Sequence, residues 1–200
     1  MGLLDGLRDF FGFGAESSAQ RAADPDDLFG MSTAYVTMAA DLDFEAVGQA
    51  ALCFAGVDST DFEQTLAEVR SLVEAGDEGT VAEFTEDEFG YHWVVLADED
   101  FEDLVVGVNA AADEFIARGY SSRLLAALFG FEGRDGGRVY WVYSFRRGAY
   151  YPFAPTGDHE RDHGLEFKLQ SVLDGELDVD DDEAYWYPLW PSTPQGHPWG

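Results

Sequence analysis

Apolar side chains recur along the chain at two spacings, and the switches between those spacings mark the elements. Leu3, Leu4, Leu7, Phe10 and Phe11 fall at i, i+3/i+4 and i+7, which predicts a short amphipathic helix over residues 2–13. Small polar residues from 14 to 24 read as a linker. Asp24-Pro25-Asp26-Asp27 is a helix start, with Asp24 as cap and Pro25 in the first turn, and the helix is expected to run to Gly30. Thr33–Met38 fits a helix or a strand. Ala46–Ala55 is a mostly apolar strand. Phe62, Leu66, Val69, Leu72 and Val73 give one face of a helix over Asp61–Glu74, capped by Ser59 or Thr60. Strands follow at Val81–Thr85 and Tyr91–Leu96, then a helix over Asp100–Arg118 that Gly119 stops. Arg123–Phe131 and Arg138–Phe145 form a hairpin around Gly133–Gly137, and strand character continues toward Phe153. A last helix spans His163–Leu173. The order strand–helix–strand–strand–helix–strand predicts an α+β fold, a ferredoxin-like β-α-β-β-α-β sandwich with an extended antiparallel sheet. Residues 25–190 would be its single domain. The final stretch, 191–200, holds three prolines and reads as a disordered tail.

Composition changes this picture in one respect. The chain is 46% hydrophobic, enough for a core, yet 40 acidic residues face 11 basic ones for a net charge of -29. Lys168 is the sole lysine, and the acids are spread along the whole chain. Such a surface suits molar salt, where the Debye length falls to about 3 Å and carboxylates cease to repel one another. The same charge argues against nucleic acid as a partner, since few cations could neutralise phosphates. Cys53 lies in an apolar run and reads as a buried small hydrophobe; as the only cysteine it forms no intrachain disulfide. No stretch of about 18 apolar residues predicts a membrane span, and the N-terminus lacks the features of a signal peptide. A cytoplasmic protein is expected.

Candidate chemistry gathers late in the chain. Phe145 to Asp158 contains the only adjacent basic pair, Arg146-Arg147, followed by Tyr150 and Tyr151 and then by Phe153 between Pro152 and Pro155. Arginine beside aromatic faces can stack and can fork onto carboxylate or phosphate, and each proline stiffens the backbone. The run fits a docking surface, a site for an acidic ligand, or a strand end whose aromatics fill the core. His159-Glu160-Arg161-Asp162-His163 matches the H-E-x-x-H pattern in which two histidines one helical turn apart hold zinc and the glutamate activates water. Its charged intervening residues and flanking Gly157 and Gly164 make a zinc-dependent hydrolase using His159, Glu160 and His163 the alternative reading, with Glu166, Glu183 or another distant acid as the further ligand. The acidic run Asp180–Glu183 lacks the spacing of a calcium loop. His92 sits in a strand pattern and reads as structural. No cofactor motif is present.

Several segments together resemble one family: Gly2-Leu3-Leu4-Asp5, Asp27-Leu28-Phe29, Thr33-Ala34-Tyr35-Val36-Thr37, the run Val142–Pro155, and Trp186-Tyr187-Pro188-Leu189-Trp190. Over residues 1–190 the chain is similar to the PspA-associated protein PspAB family, and the acidic composition suits its haloarchaeal branch. The resemblance implies a soluble, non-catalytic accessory protein of a phage-shock type envelope-stress system. Its partner would be a PspA-like protein or another envelope-stress protein such as the HtpX protease, with peripheral contact at the inner face of the membrane. No catalytic residue carries over, and family members do not carry both histidines of the 159–163 motif. The expected partner-binding residues are Leu3, Leu7, Phe10 and Phe11 in the N-terminal helix, Arg146, Arg147, Tyr150, Tyr151 and Phe153, and Trp186 and Trp190.

Overall fold

The computed structural model describes residues 23–75, 79–157, 159–191 and 196–199. The helix expected over 2–13, with Leu3, Leu7, Phe10 and Phe11, lies outside the described residues. Asp24 caps a 3-10 turn, Pro25–Phe29, by accepting from the Asp26 N–H at 3.1 Å. The chain then continues into helix α1, Gly30–Asp41. The helix-or-strand ambiguity at Thr33–Met38 is thereby settled as helix: Leu28, Met31, Ala34 and Met38 all reach the core, a spacing only a helix provides.

Strand β1, Phe44–Ala55, follows a turn at Leu42-Asp43. Helix α2, Thr60–Glu74, is capped by Ser59, whose Oγ accepts from the Phe62 N–H at 3.2 Å. Strands β2, Val81–Glu86, and β3, Tyr91–Ala97, lead to helix α3, Phe101–Ala117, capped by Asp100. Gly119 ends α3 with φ of 83°, a conformation that favours glycine. Strands β4, Leu124–Gly133, β5, Arg138–Ser144, and β6, Ala149–Phe153, complete a six-stranded sheet. A two-stranded ladder of β7, Pro155–Gly157, and β8, Glu160–Arg161, precedes helix α4, His163–Val172.

The architecture is α+β, and every pairing in the large sheet is antiparallel, in the order β2-β3-β1-β4-β5-β6. Strand β1 is central and bulges between Ala46 and Ala50 against β4. Gly48 makes that bulge possible: its φ is 71°, and its carbonyl accepts from the Asp98 N–H at 3.1 Å.

Both sheet faces are buried, which explains why β1 reads as a nearly continuous apolar run rather than an alternating one. Leu52, Phe54, Phe129, Phe131, Trp141 and Tyr143 face the helices and meet Met38, Phe62, Val69, Leu104 and Phe115. Cys53, Trp93, Leu128, Tyr140, Val142 and Phe153 face the other way. Among the described residues no α-helix covers that second face; Trp186, Leu189 and Trp199 of the C-terminal strap pack on it. Of the stretch expected to be a disordered tail, residues 192–195 lie outside the described residues, while His197 and Trp199 are buried against the Tyr140 ring at 4.4 and 6.2 Å. Aromatic area outweighs the proline content there. No helix among the described residues is long and apolar enough to cross a membrane.

Candidate docking surface

The stretch from Arg146 to Pro155 begins as a tight turn. Gly148 takes φ of 63°, and its N–H and that of Arg147 both donate to the Ser144 carbonyl. The chain reverses into β6, an edge strand, where Pro152 is tolerated because its missing N–H is not needed by β5. The outer side of β6 is nevertheless not free. The Tyr150 N–H donates to the Asp178 carbonyl at 2.7 Å and the Asp180 N–H to the Tyr150 carbonyl at 2.8 Å.

Side chains reinforce this splint. Arg147 forks onto Asp180, Nε to Oδ2 at 2.6 Å and Nη2 to Oδ1 at 3.1 Å, with its guanidinium 3.8 Å above the Tyr185 ring. Both partners are buried, and the carboxylate raises the Arg147 pKa above its ordinary value. The Trp186 indole donates to the Asp180 carbonyl at 2.8 Å. Further along, Arg161 donates to both oxygens of buried Glu166, to the Trp186 carbonyl at 2.7 Å and to the Pro152 carbonyl at 3.3 Å. Glu166 also accepts from the Ala154 N–H at 2.8 Å. The buried Arg147–Asp180 pair and the partly buried Arg161–Glu166 pair therefore tie the C-terminal segment to β6 and the turn before it.

The aromatics of the run point inward. Tyr150 is buried on the helix side, its hydroxyl donating toward the Asp27 and Leu28 carbonyls, and burial pushes its pKa well up. Tyr151, Phe153 and Trp186 are buried on the strap side. Arg147, Tyr150, Tyr151, Phe153 and Trp186 thus come together, buried, at the closure of the sheet edge. Arg146 and Trp190 are half-buried and reach solvent, as do Tyr185 and Tyr187. Partial burial raises the Tyr187 pKa to about 12, so it is a neutral hydrogen-bonding group. Trp190 stands edge-on to Phe153 at 4.9 Å and beside His159 at 5.3 Å. It walls an open cleft of about 1120 Å³ that Phe44, Arg134, Arg138, Thr156 and His159 also line. Arg134 pairs there with Asp43 at 2.6 Å.

The H-E-x-x-H run does not lie on a helix. His159 occupies a turn with φ of 60°, Glu160 and Arg161 form β8, Asp162 caps α4 through the Leu165 N–H, and only His163 is helical. Glycines on either side and the Asp162 cap place the helix start inside the motif, which removes the one-turn spacing that zinc ligation needs. His163 instead meets Glu166 at 3.3 Å. Among the described residues no group of three or more His, Cys, Asp or Glu is placed to hold a metal ion. Cys53 is buried and its thiol pKa is raised by that burial, the reverse of what a nucleophile needs. His92 stacks on Phe54 at 5.6 Å.

One exposed feature was not read from the sequence: Phe29, at the end of the 3-10 turn, and Val36, on the outward side of α1, are 40% and 66% exposed. Its signal is the absence of any charged residue from Leu28 to Ala40 in a chain that is 26% charged.

A family model described as PspA associated protein B matches residues 1–199. No curated protein and no solved structure matches the chain.

Proposed function

Because the chain belongs to the PspA associated protein B family, we propose that it is a non-catalytic accessory protein of a PspA-type envelope-stress response, acting by docking on a PspA-like coiled coil. The whole-chain family match carries this reading. The geometry supports it: the residues with the strongest potential chemistry, Arg147, Arg161, Asp180 and Glu166, are engaged in holding the sheet edge closed. In this reading the docking residues are the expected apolar stripe Leu3, Leu7, Phe10 and Phe11 and the solvent-reaching rim of Arg146, Tyr187 and Trp190. An amphipathic stripe laid along a coiled coil is a common recognition mode. Acidic residues Asp5 and Asp9 disfavour anionic lipid at low salt, so a protein partner takes precedence over peripheral membrane contact. HtpX is the alternative protein partner.

The test is co-sedimentation of the full chain with a purified PspA-like protein in molar salt, beside the Leu7→Asp/Phe10→Asp variant. Association that falls about tenfold or more in the variant is expected, since two buried apolar anchors are worth about 1.5–3 kcal/mol each. No association of the unchanged chain overturns the docking reading, and undiminished association of the variant removes the N-terminal stripe from it. Flotation with anionic vesicles alone reads the membrane contact separately.

A further inference from the structure

Basic side chains are scarce in this chain, and several are engaged in the fold. Arg147 and Arg161 are tied to Asp180 and Glu166, and Arg70 and Arg118 pair with Glu74 and Glu114 on their own helices. The open cleft beside Trp190 differs. Arg134 from the β4–β5 turn, Arg138 from the start of β5 and His159 from the turn before β8 all line it. Two of the 11 lysines and arginines and one of the four histidines thus converge there, which a net charge of -29 does not produce by composition. The acids that line the cleft are already engaged. Asp43 pairs with Arg134 at 2.6 Å, while Asp135 and Asp162 accept from the Gly137 and Leu165 N–H groups at 3.1 and 2.9 Å. A guanidinium carries five N–H donors, so Asp43 leaves Arg134 able to meet a second acceptor, and its side chain is 81% exposed. Glu132 meets Arg138 at 3.5 Å, and the buried Tyr140 hydroxyl lies beside it. Asp43 and His159, with φ of 58° and 60°, are the described non-glycine residues in the left-handed region, and both line this cleft. Such conformations gather where the surrounding structure holds a site in place.

We propose that this cleft binds a small anion carried on a planar ring, such as a nucleoside monophosphate or an aromatic carboxylate. Arg134 and Arg138 fork onto the acidic group, because guanidinium geometry matches carboxylate and phosphate alike. Trp190 takes the ring against its indole, and His159, 5.3 Å from that indole, flanks it. The volume, about 1120 Å³, slightly exceeds the roughly 300–1,000 Å³ of ordinary small-molecule sites, so a whole nucleotide fits with water beside it. In molar salt the field of distant charges is screened within about 3 Å, so selectivity comes from these direct contacts. Binding of this kind needs no protein partner and is independent of the docking reading, although a ligand against Trp190 covers part of the proposed rim.

Equilibrium dialysis of the full chain in molar potassium chloride tests it. The probes are adenosine 5′-monophosphate and indole-3-acetate, beside their uncharged counterparts adenosine and indole-3-acetamide, and inorganic phosphate. At least one probe is expected to bind about tenfold or more tighter than its uncharged counterpart, as charge-assisted forked bonds require. Binding of the nucleotide identifies a phosphate-bearing ligand, and binding of the indole acid a carboxylate-bearing one. Arg134→Ala, at an exposed side chain, is expected to weaken that binding about fivefold or more, and adding Arg138→Gln to weaken it further. Arg70→Ala, at a guanidinium outside the cleft, is expected to leave it unchanged. Failure of both probes to bind overturns the proposal, as does equal binding of the uncharged counterpart or indifference to both cleft substitutions. Inorganic phosphate binding as tightly as the nucleotide shows an adventitious ion only and overturns it too. No protein partner is present in this measurement, so its failure leaves the docking reading standing, and failure of co-sedimentation leaves the cleft standing.

Discussion

Arg147 shows how one side chain can look like a ligand-binding group and serve the fold. Its position beside Arg146 and three aromatics fits recognition of a carboxylate, and the carboxylate it recognises is Asp180 of the same chain. Both are nearly inaccessible, at 5% and 1% exposure. Removing one member of such a pair strands the other charge in a low-dielectric site, at a cost of about 3–5 kcal/mol. Arg147→Ala is therefore expected to lower unfolding free energy by that amount in denaturant titrations. Arg134→Ala, at an exposed pair with Asp43, is expected to cost less than about 1 kcal/mol. Equal losses would show that the Arg147 pair contributes no more than a surface contact. The arginine-for-carboxylate chemistry was legible in the sequence; the partner, 33 residues away, was not, because pairing between distant segments leaves no local pattern.

Among the elements, the C-terminal strap departs furthest from its sequence signature. The prolines of residues 191–200 suggest disorder, yet Trp199 is buried on the sheet face that Trp186 and Leu189 also pack against. His197 is buried within this strap, and neither ring nitrogen has a hydrogen-bond partner among the described residues. Burial, with Arg138 adding to it, lowers its pKa to about 3 from 6.5. The unfolded chain binds the proton near pH 6.5 and the folded chain only near pH 3. Stability is thus fully present above pH 6.5 and falls as the pH drops through that window, by up to about 1.4 kcal/mol per pH unit. His197→Phe keeps the ring against Tyr140 and Trp199 and removes the titration. Its stability between pH 6 and pH 4 is expected to fall less steeply than that of the unchanged chain, measured by chemical unfolding at fixed salt. Identical slopes would mean that the strap lifts from the sheet before His197 titrates.

At the scale of the whole molecule, a net charge of -29 on 200 residues opposes compaction unless counterions screen it. Raising potassium chloride from 0.1 to 2 M shortens the Debye length from about 10 Å to less than 3 Å. The thermal midpoint is expected to rise steadily over that range, and a flat response would show that surface carboxylates do not govern stability. The sequence by itself determined what is local or summed over the chain: the charge, the cap at Asp24, the stop at Gly119, and the α+β alternation of periods. These follow from side chains within four residues of one another or from composition, so they need no knowledge of the fold. Only the tertiary structure decided which apolar residues are buried against the chain itself and which reach solvent. Tyr150, Tyr151 and Phe153 are as hydrophobic in a core as on a surface, and the covering of β6 by residues 178–180 and of the sheet by the strap settles their place. It likewise decided that His159 and His163 do not share a helix face, because the Asp162 cap starts the helix between them. Burial is a property of what arrives from elsewhere in the chain, and that is the physical reason periodicity alone does not reveal it.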